Sequence, residues 1–266
     1  MIEIIEVKSN SQLKAFVNFQ FKLYEKSPFW VPPIKNEELF FLNKETNPAF
    51  KTSDVALFLA YKEKKIVGRI AAIVNWIEVK KLKKNKVRFG WFDVVDDFEV
   101  TKLLIEKVKE FGKCRKMDFI EGPVGFSNMD KAGMLVMGYD KMNTIITNYN
   151  YPYYPIHMEQ LKMKKLAQWI EFEIKIPDFK DSPAKVRKFG KLILKRYNLN
   201  VLHFKKNSQI QPYVNEMFEL IEKTYSSLQT FVPIEQYQIK YYKDKYLKYA
   251  HPEYIKCVSD DTNKLV

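Results

Sequence analysis

The 266-residue chain has little of several residues that carry specific chemistry. Its two cysteines, Cys114 and Cys257, stand far apart without paired spacing, so neither a disulfide framework nor a cysteine metal site is expected. The three histidines, His157, His203 and His251, are scattered, and no metal cluster or Ser/His/Asp order can be read around them. Arginine is scarce: of 45 basic residues only those at 69, 88, 115, 187 and 196 are Arg. Arginine is the residue suited to bidentate phosphate and base-edge contacts. The formal charge of +13 therefore reads as solvated lysine faces, with no specific nucleic-acid partner expected. The run "KKLKKNK" (80–86) reads in the same way, as a solvated loop tip. Long apolar runs are also missing. The best one, "IVGRIAAIVNW", is interrupted by Arg69 and is far shorter than a membrane span, so no membrane partner is expected. The opening "MIEIIEVKSN" mixes acids with apolar residues, unlike a secretory leader, and the expected location is the cytoplasm.

What is present is a core and a repeat. With 46% hydrophobic and 15% aromatic residues, the chain can bury a substantial interior. The stretch "VKSNSQLKAFVNFQFKLYEKSPFWVPP" returns as "FKKNSQIQPYVNEMFELIEKTYSSLQTFVPI". At an offset of 197, Asn10 matches Asn207, Phe16 matches Tyr213, Val17 matches Val214 and Phe21 matches Phe218. Each copy predicts a short strand, an Asn-Ser cap and a helix, over 11–26 and 209–225. The hairpin pattern of "VALFLAYKEKKIVG" likewise returns in "EYIKCVSDDTNKLV". The expected organisation is a domain over 1–177, a basic linker helix within 178–199, and the opening elements of a second unit over 200–266. Self-association through that incomplete second unit is expected.

Along the first unit the pattern predicts a strand (2–8), a helix (11–26), a hairpin (55–62 and 65–77), a strand (87–95) and a helix (97–111) ending at Gly112. A strand "DFIEGPV" follows, then a loop with a short helix through Gly138, a helix at "YYPIHMEQLKM" and a last strand "AQWIEFEIKI". The fold class is α/β, a mixed, mostly antiparallel sheet with helices on its faces.

That order, with "FLAYKEKKIVGRIAAI" as central hairpin, resembles the GNAT-type N-acyltransferase fold. The motifs "FWVPP", "NPAF", "VGRIAAIVN", "EGPVGFSNMDKAGMLVMGYD" and "NYNYPYY" resemble an uncharacterised bacterial family of tandem GNAT-like proteins. The resemblance implies transfer of an acyl group from acetyl-CoA or another acyl-CoA to a small-molecule amine. It also implies a pyrophosphate loop of the type Arg/Gln-x-x-Gly-x-Gly/Ala at a helix start, where backbone N–H groups meet the phosphates. The corresponding stretch here, "FDVVDDFEVTKLL", has no glycine and places Asp96, Asp97 and Glu99 at the helix start. These carboxylates suit the helix dipole and repel a pyrophosphate, so the chain is expected to bind acetyl-CoA poorly. Glu121 is a candidate general base, with a plain hydrogen-bonded Glu as the alternative. Tyr151 and Tyr153, among the tyrosines of "NYNYPYY", are candidate proton donors to a leaving thiolate, with ordinary packing as the alternative. A non-catalytic binding or scaffold module is the second reading for the chain as a whole.

Overall fold

The structure, a computed structural model, describes residues 1–176, 178, 183–246 and 250–266. They form two compact units, Met1–Gln168 with Leu228–Pro233, and Trp169–Ser227 with Ile234–Val266. The 228–233 segment, which the repeat assigns to the second copy, is thus built into the first unit.

Unit 1 is a five-stranded sheet in sequence order. Strands β1 (Ile2–Glu6), β2 (Ser53–Lys62), β3 (Lys65–Asn75) and β4 (Lys86–Val94) run antiparallel, and β5 (Phe119–Glu121) runs parallel to β4. Successive side chains of a strand point to opposite faces. Ala56, Phe58 and Ala60 of β2, with Ile70, Ala72 and Val74 of β3, therefore meet helix α4 (Phe98–Lys113) through Val100, Leu104, Ile105 and Val108. The intervening Leu57, Leu59 and Ala71 meet Phe16 and Val17 of helix α1 (Asn10–Leu23). Both faces are covered, which is why the central strands read as almost continuous apolar runs. Each fully buried Val, Leu or Ile of the α4 face contributes roughly 1.5–3 kcal/mol. Short helices α2 (Lys35–Phe41) and α3 (Trp76–Leu82) and helix α5 (Tyr153–Gln160) complete the unit.

Strand β4 is kinked by a bulge. Arg69 pairs with Asp93 and Ala71 with Gly90, so Trp91 and Phe92 face the single residue between them. Trp91 has φ 44°, a left-handed conformation that costs a non-glycine residue of order 1–2 kcal/mol. It is held there by a 2.9 Å hydrogen bond from its indole Nε1 to Glu38 and by ring contact with Phe126.

Several local expectations change. Gly112 lies inside α4, and a Cβ there would sit 2.5 Å from Val87 Cγ1. The glycine thus permits close helix–strand packing, and the left-handed turn falls on Lys116. The 127–138 stretch forms turns and one bridge, Val124 with Ala132, without a helix. The alternating 167–176 segment pairs with no strand among the described residues. The 80–86 run is the end of α3 and the start of β4, and its last residue, Lys86, is buried.

Unit 2 holds α6 (Ala184–Arg196), β6 (Asn200–His203), α7 (Val214–Tyr225), α8 (Gln236–Tyr246) and β7 (Lys256–Ser259). Strands β6 and β7 pair antiparallel, over a small core of Phe204, Ile210, Val214, Cys257 and Leu265. The two segments matched in sequence share one local device. Gln12 Oε1 accepts the N–H groups of Lys8 and Ser9 at 2.8 and 3.0 Å, and Gln209 Oε1 accepts those of Lys205 and Lys206 at 2.8 and 3.1 Å. In the first copy Ser9 returns a bond to the Gln12 N–H, a complete capping box, so the cap is Ser9 rather than Asn10-Ser11. The Lys206 side chain has no oxygen with which to do this, so its backbone carbonyl accepts the Gln209 N–H at 3.0 Å instead, and two 3-10 turns, the second containing Pro212, delay α7 until Val214.

Candidate functional site

Polar residues concentrate at the two ends of β4. At its C-terminal end Arg69 reaches Asp93 Oδ2 through Nε and Nη2, both at 2.7 Å, and donates Nη1 to the Phe16 carbonyl at 3.0 Å. The Tyr24 hydroxyl donates to Asp93 Oδ1 at 2.9 Å and lies 2.8 Å from the Tyr154 hydroxyl. With Tyr24 committed to Asp93, Tyr154 is the donor of that second bond. Tyr154 in turn accepts the Val94 N–H at 3.0 Å, and Tyr153 donates to the Val94 carbonyl at 2.6 Å. Burial first, and the Asp93 charge second, push the Tyr24 and Tyr154 hydroxyls well above their ordinary range. Burial, followed by the Asp96 charge, does the same to Tyr153. Tyr151, raised by burial, donates to the Leu23 carbonyl at 3.3 Å and stacks on Tyr153. Both backbone groups of Val94 are thereby held by tyrosine hydroxyls.

Immediately beyond lies the start of α4, where the GNAT-type resemblance would place a pyrophosphate loop. Asp97 is the N-cap, accepting the Glu99 N–H at 3.1 Å, and Lys62 Nζ meets it at 2.8 Å. The lysine's hydrogen bond holds the Asp97 carboxyl below its usual range. Asp96 lies 3.4 Å from His157 Nε2, and His157 Nδ1 lies 2.8 Å from the hydroxyl of buried Thr101. Carboxylates thus already serve the helix start, and no glycine lets a ligand approach its backbone. These residues do not fit a CoA pyrophosphate.

The N-terminal end of β4 is fully ionic. Lys86 Nζ lies 2.8 Å from both Glu78 and Glu121. Arg88 grips Glu78 through Nε and Nη2, each at 2.9 Å. Its remaining donors reach the carbonyls of Gly125 at 3.2 Å and Thr230 at 3.1 Å. Gln229 adds a long 3.4 Å contact to Glu121, whose Oε1 is buried without a hydrogen-bond partner. Nearby Asp130 accepts the Ser127 N–H at 3.1 Å, and burial, which strips water from its carboxylate, raises its carboxyl to about 6. Lys86 and Arg88 share one side of the strand through the two-residue period, and Glu121 is the register partner of Arg88 on β5.

Of the sequence candidates, Tyr151 and Tyr153 lie together at one end of β4, and Glu121 is buried at the other. Six residues of strand, about 20 Å, separate Val94 from Arg88. Lys86, Glu78, Asp93 and Tyr24 were not among the candidates. A signal for them exists: Arg69 within an apolar strand, and Lys86-x-Arg88 on another, each demand buried carboxylates. Among the described residues no group of three His, Cys, Asp or Glu could hold a metal, and no helix is long and apolar enough to cross a membrane.

The strand order, the parallel β4–β5 pair and the helices on both faces make this a GNAT-type fold. No family model matches the chain. It is similar to Protein YghO of Escherichia coli (strain K12), 25% identical over 248 residues, which cover 92% of this chain and 61% of that protein. It is also similar to a bacterial ceramide synthase of Caulobacter vibrioides (strain NA1000 / CB15N), 30% identical over 140 residues, covering 52% of this chain and 36% of the relative. The chain thus spans less than two thirds of the length of either. Among solved structures, a tandem GNAT protein from the clavulanic acid biosynthesis pathway, solved without AcCoA, aligns over 100% of this chain and 72% of its own. With a TM-score of 0.55 and 11% identity, that likeness is one of fold.

Proposed function

We propose that this chain is the GNAT-fold part of an acyl-CoA-dependent N-acyltransferase, and that its unit 1 binds no acyl-CoA but serves as a structural module beside the acyl-CoA site. In the reaction an amine attacks the thioester carbonyl, the C–N bond forms and the C–S bond breaks. One proton leaves the ammonium and one joins the departing thiolate. The observation that carries the reading of unit 1 is the start of α4, where Asp97, Lys62, Asp96 and His157 occupy one another. The acyl-transfer class is supported by the fold and by the name of the Caulobacter relative, since a ceramide is by constitution an N-acylated long-chain amine. The acceptor proposed is therefore a small-molecule amine, met in the cytoplasm. No transfer step is assigned to Glu121, Tyr151 or Tyr153.

Calorimetric titration of the 266-residue chain with acetyl-CoA tests unit 1. No binding is expected up to roughly 100 μM ligand, which corresponds to less than about 5.5 kcal/mol of affinity. Micromolar binding lost on Asp96→Ala would overturn the assignment. Thiol release by the full-length gene product, given acyl-CoA and a long-chain amine, tests the reaction. Release that does not depend on the amine, across short and long acyl chains, would overturn it.

A further inference from the structure

Helix α6 is the one long element of the described structure with no buried residue. Its sequence, AKVRKFGKLILKR, holds six cations, Lys185, Arg187, Lys188, Lys191, Lys195 and Arg196, and no acid, against 45 to 32 in the whole chain. At 100° per residue, Val186, Phe189, Ile193 and the following Tyr197 fall within an arc of about 80°. Lys188, Lys191 and Lys195 fall within about 60° on the opposite side, and Lys185 and Arg196 border the apolar arc. The apolar residues are open to solvent: Val186 is 64% exposed, Phe189 57%, Ile193 44% and Tyr197 59%. The chain leading toward the helix also exposes Trp169, Ile170 and Phe172. Isolated helices of this length are marginal in water, and exposed apolar patches of this kind mark interaction sites.

We infer that α6 is an interfacial helix that docks on an anionic lipid surface. An apolar stripe, a cationic stripe opposite it and bordering cations are the arrangement a lipid interface accommodates in one orientation. The side chains of Val186, Phe189 and Ile193 enter the acyl boundary while the lysines remain among the headgroups. A nucleic acid would engage the lysines and leave the apolar stripe in water, which is why a lipid surface is the occupant argued for. The cytoplasmic leaflet presents the required negative potential. The inference does not depend on the acyltransferase reading, because docking is measured without catalysis.

The experiment is flotation of the 266-residue chain with phosphatidylcholine vesicles, with and without about 30% phosphatidylglycerol, at roughly 0.1 and 0.5 M salt. Binding to the anionic vesicles is expected to be at least about tenfold tighter than to neutral ones and to weaken at high salt. The triple change Lys188→Glu, Lys191→Glu, Lys195→Glu should weaken it on the order of a hundredfold. The pair Phe189→Ser, Ile193→Ser should also abolish flotation, although it leaves every cation in place. Since α6 buries no side chain, both variants should keep the wild-type circular dichroism and melting profile. Equal binding to neutral and anionic vesicles would overturn the inference, as would no vesicle binding at all. Undiminished binding by the serine variant, with equal affinity for duplex DNA, would show a polyanion sink and overturn it too.

Discussion

The two ends of strand β4 solve the same problem with different materials. At the N-terminal end two cations and two carboxylates neutralise one another, and spare guanidinium donors go to carbonyls. At the C-terminal end one Arg–Asp pair is supplemented by neutral tyrosine hydroxyls, which also take both backbone groups of Val94. The difference shows where each end is vulnerable. A purely ionic cluster fails when one charge is removed, because an unpaired buried charge remains. A cluster part-built from hydroxyls loses hydrogen bonds one at a time.

Glu78→Ala should therefore cost most, since Glu78 meets both Lys86 and Arg88. We expect a loss of about 4–5 kcal/mol in urea denaturation followed by tryptophan fluorescence. A loss below about 1 kcal/mol would mean that water or Glu121 compensates fully. Arg69→Met should cost less, about 2–3 kcal/mol, because Asp93 keeps the hydrogen bond donated by the Tyr24 hydroxyl. Tyr154→Phe removes one hydroxyl that serves Tyr24 and the Val94 N–H, and should cost about 1–2 kcal/mol. If Tyr154→Phe proved as costly as Glu78→Ala, the contrast between the two ends would collapse.

The smallest effect belongs to Asp130. Its folded value of about 6 lies above the ordinary 3.8, so the folded state binds this proton more tightly than the unfolded one. Folding is thus favoured by protonation. The cost of the carboxylate is absent below about pH 4, grows between pH 4 and 6, and is complete above 6. Allowing for its partial exposure, we expect stability to fall by about 1 kcal/mol across that interval relative to Asp130→Asn. Parallel pH–stability profiles for the two proteins would remove Asp130 from the account.

Much of the sheet was legible in advance. The alternation and apolar density of residues 55–75 specify a buried hairpin, and the long amphipathic stripe of α4 is unambiguous. The helix cap was only half legible, because Ser9 with Gln12 is a capping-box pair one residue earlier than the Asn-Ser reading. The 167–176 segment misled because alternation describes a side-chain pattern, whereas a strand also needs an edge that sequence does not display. The buried networks were hidden for a related reason. Lys86 carries the same letter as the solvated lysines before it, and only the three-dimensional partnership with Glu78 and Glu121 distinguishes it. At the start of α4 the carboxylates could be read from sequence, but the tyrosine grip on Val94 could not, since it joins residues 60 apart.

The 228–233 segment has a consequence for synthesis. Arg88 hands a buried N–H to the Thr230 carbonyl, so the ionic end of β4 is incomplete until that peptide has been made. At roughly 5–20 residues per second, the ribosome needs several seconds to go from the end of α5 to Thr230. During that interval the guanidinium must find water or another acceptor. The first unit should therefore ripen late, and a fragment ending before residue 228 should remain a looser, more protease-sensitive version of the same sheet.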